Sequence, residues 1–193
     1  MKVRESGMPK EGMWEGFFRP KAILKKLGLN GARDVVDFGC GYGTFSIPAA
    51  KMVKGRVYAI DIEQDMINET RKKADNSHLK NVETRLRDFS SSGTGLEDKS
   101  VDYVMLFNIL HAKEPVKLLR EAYRILREGG RVGIMHWNYD PSTPRGPPME
   151  IRPKPEQCVK WALSAGFVNP RMQDLKPYHY GIVLMKQRGK NER

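Results

Sequence analysis

Cysteine is almost missing from this chain. Among its 193 residues only Cys40 and Cys158 carry a thiol, and Cys40 sits in a glycine-rich loop, which speaks against a disulfide framework and against a cysteine-built zinc site. Long apolar runs are missing as well. Nothing approaches the roughly 18–20 apolar residues that cross a bilayer, so no membrane span is expected. The opening "MKVRESGMPKEGMWEG" lacks the apolar core of a secretory signal, and the expected location is the cytoplasm. Glutamine is scarce beside abundant Lys, Arg and Glu, a compositional trend associated with thermophilic proteins. No internal repeat or low-complexity tract is present.

What remains is the composition of one globular domain. Hydrophobic residues make up 39% and charged residues 30%, enough of each for a buried core and a solvated surface. The net charge of +11 admits a polyanion partner such as RNA, because a basic surface concentrates phosphate ligands. Yet Lys and Arg are spread along the chain and alternate with Glu, as in "REAYRILREGGR", the pattern of an ordinary mixed surface. Both readings stay open.

Strand-like and helix-like segments alternate, which predicts βαβ units and a parallel sheet. The strands are "ARDVVDFG", "GRVYAIDI", "NVETRLRDF", "SVDYVMLFNIL" and "GGRVGIMHW". Helices are expected at "RPKAILKKLGLNGA", "QDMINETRKKADNS" and "EPVKLLREAYRILREGG". In the last, Val116, Leu119, Tyr123 and Leu126 recur at helical spacing, Pro115 suits the first turn and Gly129 the stop. From Pro141 to Pro155 there are six prolines and one glycine, which predicts a long, stiff loop, because proline lacks the amide donor and restricts its predecessor. A helix at "PEQCVKWALSAGF" and two strands, "PRMQDLKP" and "YHYGIVLMK", close the chain as an antiparallel pair.

The run "VVDFGCGYGTF" holds Gly39, Gly41 and Gly43 beyond the first strand, where open α/β sheets bind ligands. The spacing does not match the dinucleotide fingerprint, whose third glycine falls one residue later, and no Lys follows as a P-loop requires. Acids are more informative. Asp37 precedes the loop, where it repels a pyrophosphate and attracts an ammonium. Asp61 ends the second strand, placed to accept hydrogen bonds from ribose hydroxyls. Asp88 ends the third, placed to accept from an exocyclic amine. A nucleoside with a cationic, amine-bearing tail and no phosphate fits S-adenosylmethionine.

Together "VVDFGCGYG", "VYAIDIEQDMI", "RLRDF", "VDYVMLFNILH" and "LLREAYRILREGGRVGI" resemble the class I S-adenosylmethionine-dependent methyltransferases, in particular their small-molecule branch. The resemblance covers about residues 30–137. It implies a Rossmann-like α/β fold, a seven-stranded sheet of order 3-2-1-4-5-7-6 with helices on both faces and an antiparallel seventh strand. Residues 1–29 then form an N-terminal extension and helix covering the site, and residues 30–193 the single methyltransferase domain. It further implies that Asp37, Gly39, Gly41 and Gly43 hold the methionine end and Asp61 the ribose, and that Ile62 packs on adenine. Asp88 and the Phe89 amide would read the adenine edge, and Asn108 would lie near the methionine amine. Each acid also has a structural reading: Asp61 as a helix cap, Asp88 as a turn acid, with Asn108 as a strand-end turn residue.

Methyl transfer from a sulfonium requires alignment, worth up to about 7–11 kcal/mol, and a base only where the acceptor must lose a proton. His111, His136 and Tyr139 stand where an acceptor would lie, and either histidine is equally readable as a structural residue. No metal is expected. Trp14, Phe17 and Phe18 suggest a lid over the pocket or an apolar cluster that docks a helix. The sequence lacks the fourth-strand signature of nucleobase-amine methylation, a Pro-Cys nucleophile and the paired glutamates of arginine methylation. The expected acceptor is a small molecule, with RNA or protein as alternatives, and S-adenosylhomocysteine as the product. A non-catalytic S-adenosylmethionine-binding module and an NAD-dependent oxidoreductase are rival readings; the glycine spacing and Asp37 disfavour the latter.

Overall fold

A computed structural model describes residues 10–189; residues 1–9 of the expected N-terminal extension lie outside the described residues. Seven strands form one sheet of order β3-β2-β1-β4-β5-β7-β6: β1 Val35–Phe38, β2 Val57–Asp61, β3 Val82–Leu86, β4 Val101–Phe107, β5 Leu126–Trp137, β6 Phe167–Leu175 and β7 His179–Lys186. The first five pair in parallel, and β7 runs antiparallel to both β5 and β6. No helix among the described residues is long and apolar enough to cross a membrane.

Alternation along the central strands sorts side chains between two cores. Val36, Phe38, Val104, Leu106, Val132 and Ile134 pack against α6 (Pro115–Ile125) and α7 (Pro155–Ser164). Val35, Tyr103, Met105 and Met135 face the opposite layer, with α2 (Pro20–Lys26) and α3 (Ser46–Ala50). Because both faces of β1 are covered, all four of its residues are buried, which is why "VVDF" reads as a short apolar run rather than an alternating strand. α1 spans Glu11–Glu15, α4 Gln64–Asn76 and α5 Phe89–Ser92.

The expected α6 runs too far at its C-terminus. The helix stops at Ile125, because Leu126 turns extended (φ −70°, ψ 137°) and pairs with Val101. Gly129, at φ +74°, serves the bulge that follows, before the ladder resumes between Tyr103 and Arg131. A second glycine makes room for a tie between layers. A Cβ at Gly133 would lie 1.9 Å from the Tyr103 hydroxyl, which crosses that space and donates to Leu27 O at 2.7 Å, fixing the end of α2 to the sheet. β6 starts earlier than "PRMQDLKP" predicts, because Phe167 buries against Tyr123.

The proline-rich connection between β5 and α7 holds neither helix nor strand, and a buried arginine organises it. Arg152, 7% exposed, donates to the carbonyls of Asn138, Asp140, Arg145 and Pro147 and to the Thr143 hydroxyl. Carbonyls that a proline-interrupted segment cannot place in a ladder thus converge on one guanidinium fork.

Candidate active site

The turn after β1 carries the site. Gly39, Gly41 and Gly43 take φ of +74°, +52° and +74°, the left-handed region that penalises other residues by about 1–2 kcal/mol. At Gly39 crowding adds to this: a Cβ would lie 2.9 Å from Ile109 Cδ1. The loop therefore coils closely over the ends of β1 and β4.

Asp37 lies beneath it, 3% exposed, and accepts a hydrogen bond from Ser46 Oγ at 2.6 Å. Burial pushes its carboxyl up to about 7, opposed by the Ser46 hydroxyl and assisted by the Asp61 charge. A cation brought beside such a group gains a full charge partner, because the carboxyl needs little to ionise. Next to Asp37 is a cavity of about 30 Å³ that Gly39, Gly41, Thr44 and Asn108 also line, with Trp14 and Phe45 at its boundary. Thr44 Oγ1 and both polar atoms of the Asn108 amide are buried without a hydrogen-bond partner. Each such atom costs about 1–3 kcal/mol, so three on one cavity, beside a poised acid, fit a polar and cationic ligand group. Asn108 takes φ +53° and its backbone N–H donates to Met135 O at 2.7 Å, which anchors the turn out of β4 to β5.

Along the strand ends the acids are set apart. Asp61, 1% exposed, accepts from the amides of Gly41 at 2.9 Å and Glu63 at 3.0 Å, one on each oxygen. Burial raises its pKa, and each oxygen keeps a further acceptor site. Ile62, half-buried, follows it. Asp88 caps α5, and its bonds from the Ser90 and Ser91 amides and the Ser90 hydroxyl all fall on Oδ1; the Ser90 hydroxyl holds this carboxyl below its usual range. The Phe89 amide donates to Arg87 O at 3.1 Å. The described residues contain no group of three His, Cys, Asp or Glu able to hold a metal ion.

A family model described as a methyltransferase domain matches residues 35–130, from β1 to the bulge of β5. The solved structure of an S-adenosylmethionine-dependent methyltransferase from Aquifex aeolicus aligns at a TM-score of 0.80 and 30% identity, covering 88% of this chain and 90% of that one. The chain belongs to the S-adenosylmethionine-dependent methyltransferases. Curated relatives of this methyltransferase include the demethylmenaquinone methyltransferase of Lactobacillus johnsonii, 30% identical over 60% of this chain and 48% of that protein. The aklanonic acid methyltransferase of Streptomyces sp. strain C5 is 36% identical over 52% of this chain and 46% of that protein. The chain spans about half the length of the curated relatives it matches.

Further along the strand ends of the methyltransferase, the turn after β4 meets the end of β5. His111 Nδ1 lies 3.2 Å from His136 Nε2. His136 is fully buried and its ring stacks on Tyr180, whose hydroxyl donates to Pro153 O at 2.9 Å. Burial holds His111 down to about 4 and His136 well below its ordinary value, so both are neutral at pH 7. The structure brings these two candidates together and leaves Tyr139 outside the pair: it is 44% exposed with the Lys154 ammonium 4.7 Å from its ring centre. His136, with no exposed surface, reaches an acceptor only through His111.

Three participants escaped the sequence reading. Ser46 looks like any helix residue until α3 packs its hydroxyl on Asp37. Arg152, inside the proline tract, carried no local signal. His179, driven down to about 3 by burial, packs on Trp137 and Phe18 and carried no local signal. Trp14, Phe17 and Phe18 form one aromatic cluster with Trp137, and Trp14 also lines the cavity.

Proposed function

We propose that this chain methylates an acidic hydroxyl of a small molecule, with His111 as the proton acceptor. The observation that carries the cofactor half of this reading is the cavity that joins buried Asp37 to the unpartnered amide of Asn108. There Asp37 would pair with the ammonium of the methionine end, and Asn108 and Thr44 would supply its remaining hydrogen bonds. Asp61 would accept from the ribose hydroxyls, Ile62 would cover the adenine, and Asp88 would face its amine through Oδ2, the oxygen its cap does not use. Bound S-adenosylmethionine supplies an electrophilic methyl group on a leaving group that needs no further activation.

The acceptor half rests on the histidine pair. In the tautomer whose His111 Nδ1–H donates to His136 Nε2, His111 Nε2 holds a lone pair, and the contact holds the ring in orientation. Because burial keeps His111 weakly basic, the proton it takes most readily belongs to a phenol, enol or carboxylic acid. Two relatives are named for methylating demethylmenaquinone and aklanonic acid, both small molecules, which supports that acceptor class.

The cavity is about 30 Å³, far below the roughly 300–1,000 Å³ of a ligand pocket, so the methionine end fits only after Trp14 moves outward. That motion breaks the edge-to-face contact of Trp14 with Phe18, ring centres 4.8 Å apart, while the surface ties on α1 are light. Lys73 pairs with Glu11 and Glu15 of α1 at the surface, and exposed pairs contribute about 0–1 kcal/mol each. Calorimetric titration with S-adenosylhomocysteine, with NAD as a control and Asp61→Ala as a variant, tests the reading. Binding of S-adenosylhomocysteine alone, weakened tenfold or more in the variant, is expected; tighter binding of NAD would overturn it.

A further inference from the structure

A second concave surface lies on the same layer as α2 but toward the opposite end of the strands from the glycine loop. It is a groove of about 400 Å³ across β5, β7 and β6, and four cations line it: Lys26, Arg131, Arg171 and Arg188. Among the described residues no acidic one contributes to its lining. Among the described residues carboxylates form ion pairs with Arg56, Lys73, Arg85, Lys99, Arg124, Arg127 and Lys176, and with none of the four groove cations.

Register explains how these residues meet. Arg131 pairs with Met185 and Arg171 with Val183, so side chains two apart on β7 form an apolar floor while arginines from both neighbouring strands rise beside it. The end of α2 borders this floor: the Tyr103 hydroxyl pins it at Leu27, and Leu27 packs over Gly181 of β7. Lys26 and Arg131 are held in place, donating to Asp174 O at 2.9 Å and Asn30 O at 2.8 Å. Both bonds go to neutral carbonyls, so each cation keeps its full charge for a ligand. Arg171 and Arg188 are exposed.

We infer that this groove binds the phosphate backbone of a nucleic acid. Several cations converging with no competing carboxylate favour a ligand that presents several anionic charges in a row, and a net charge of +11 strengthens the field toward such a polymer. The groove has no aromatic side chain in its lining, so bases have nothing to stack on and recognition falls to the phosphates rather than to sequence. Arg131 lies level with Tyr103, near the start of β4, whereas the glycine loop and Asn108 lie beyond the strands' C-terminal ends. The groove therefore anchors the polymer away from the cofactor cavity, and its occupation is independent of methyl transfer.

Fluorescence anisotropy with a short labelled DNA duplex tests this on the full chain. If the four cations each meet a phosphate, log–log affinity against salt should fall with a slope of about −3 to −4. Arg171→Gln with Arg188→Gln should reduce that slope by about two and leave S-adenosylhomocysteine binding unchanged, which shows that the fold survives. Lys51→Gln with Lys54→Gln removes the same charge from another exposed region and should cost much less. Equal losses in the two pairs would overturn the groove as the site. Competition by pyrophosphate at matched phosphate concentration would reassign it to small anions, and equal competition by poly-glutamate to acidic proteins; either result overturns the inference.

Discussion

Replacing Asp37 with asparagine should stabilise the fold at alkaline pH while weakening cofactor binding. Asp37 is 3% exposed, and its carboxyl is raised from 3.8 to about 7. A carboxyl raised on folding contributes stability that is complete below its unfolded value and is lost as pH rises through the folded one. Worked through linkage, the native state carries a penalty of about 2 kcal/mol at pH 5 and about 4 kcal/mol at pH 8. Asparagine preserves the acceptor for Ser46 Oγ and never ionises, so the stability of the variant relative to the parent should improve by about 2–3 kcal/mol between pH 5 and pH 8. Urea unfolding of both proteins at the two pH values measures this difference directly, and groups common to both, the buried histidines included, cancel. A relative stability that does not move with pH would refute the argument, because it would mean that the native site solvates the Asp37 carboxylate as well as water does. At pH 8 the same variant should lose tenfold or more in S-adenosylhomocysteine affinity, about 1.4 kcal/mol.

Affinity of the parent for S-adenosylhomocysteine should weaken as pH falls below about 7, approaching tenfold per pH unit as Asp37 protonates; calorimetry from pH 8 to 5 that shows constant affinity would separate Asp37 from the ligand ammonium. His111 and His179, held to about 4 and about 3, contribute stability that is present above their ordinary value of 6.5 and is lost as pH falls. Each therefore removes about 2 kcal/mol by pH 5, and His179→Asn should flatten the acid limb of a melting-temperature profile. Arg152→Met should leave several buried carbonyls of the proline-rich loop unpaired, at about 1–3 kcal/mol for each that water cannot reach, with limited proteolysis moving to residues 138–154; an unchanged digestion pattern would show that the prolines alone order the loop. Trp14→Ala should speed S-adenosylhomocysteine association in stopped flow, because the side chain that restricts the cavity is gone; an unchanged rate would place the barrier elsewhere.

Periodicity and strand-end chemistry carried much of this structure. The alternation of β-rich and helical runs, the glycine cluster after "VVDF" and the acids ending successive strands are local features, set by which residues bury on both faces of a strand and which tolerate a left-handed turn. They sufficed for the alternating α/β layers and, through the resemblance they carry, for the family and its sheet order. Boundaries were less legible where a neighbouring strand competes for a residue: Leu126 fits the helical spacing of α6, yet its pairing with Val101 draws it into β5. The short helices α3 and α5 left no periodic trace.

What the sequence by itself determined is the layered α/β sheet and the glycine turn beyond β1, because both depend on patterns within a few residues of one another. Only the tertiary structure decided that Ser46 bonds Asp37, that His111 meets His136 while Tyr139 stays outside, and that Arg152 gathers the carbonyls of a proline loop. It also decided that cations from α2, β5, β6 and the segment after β7 share one groove. These contacts join segments far apart in the chain, and their chemistry depends on burial, which raises the Asp37 carboxyl, keeps the histidines neutral and leaves the Asn108 amide unpartnered.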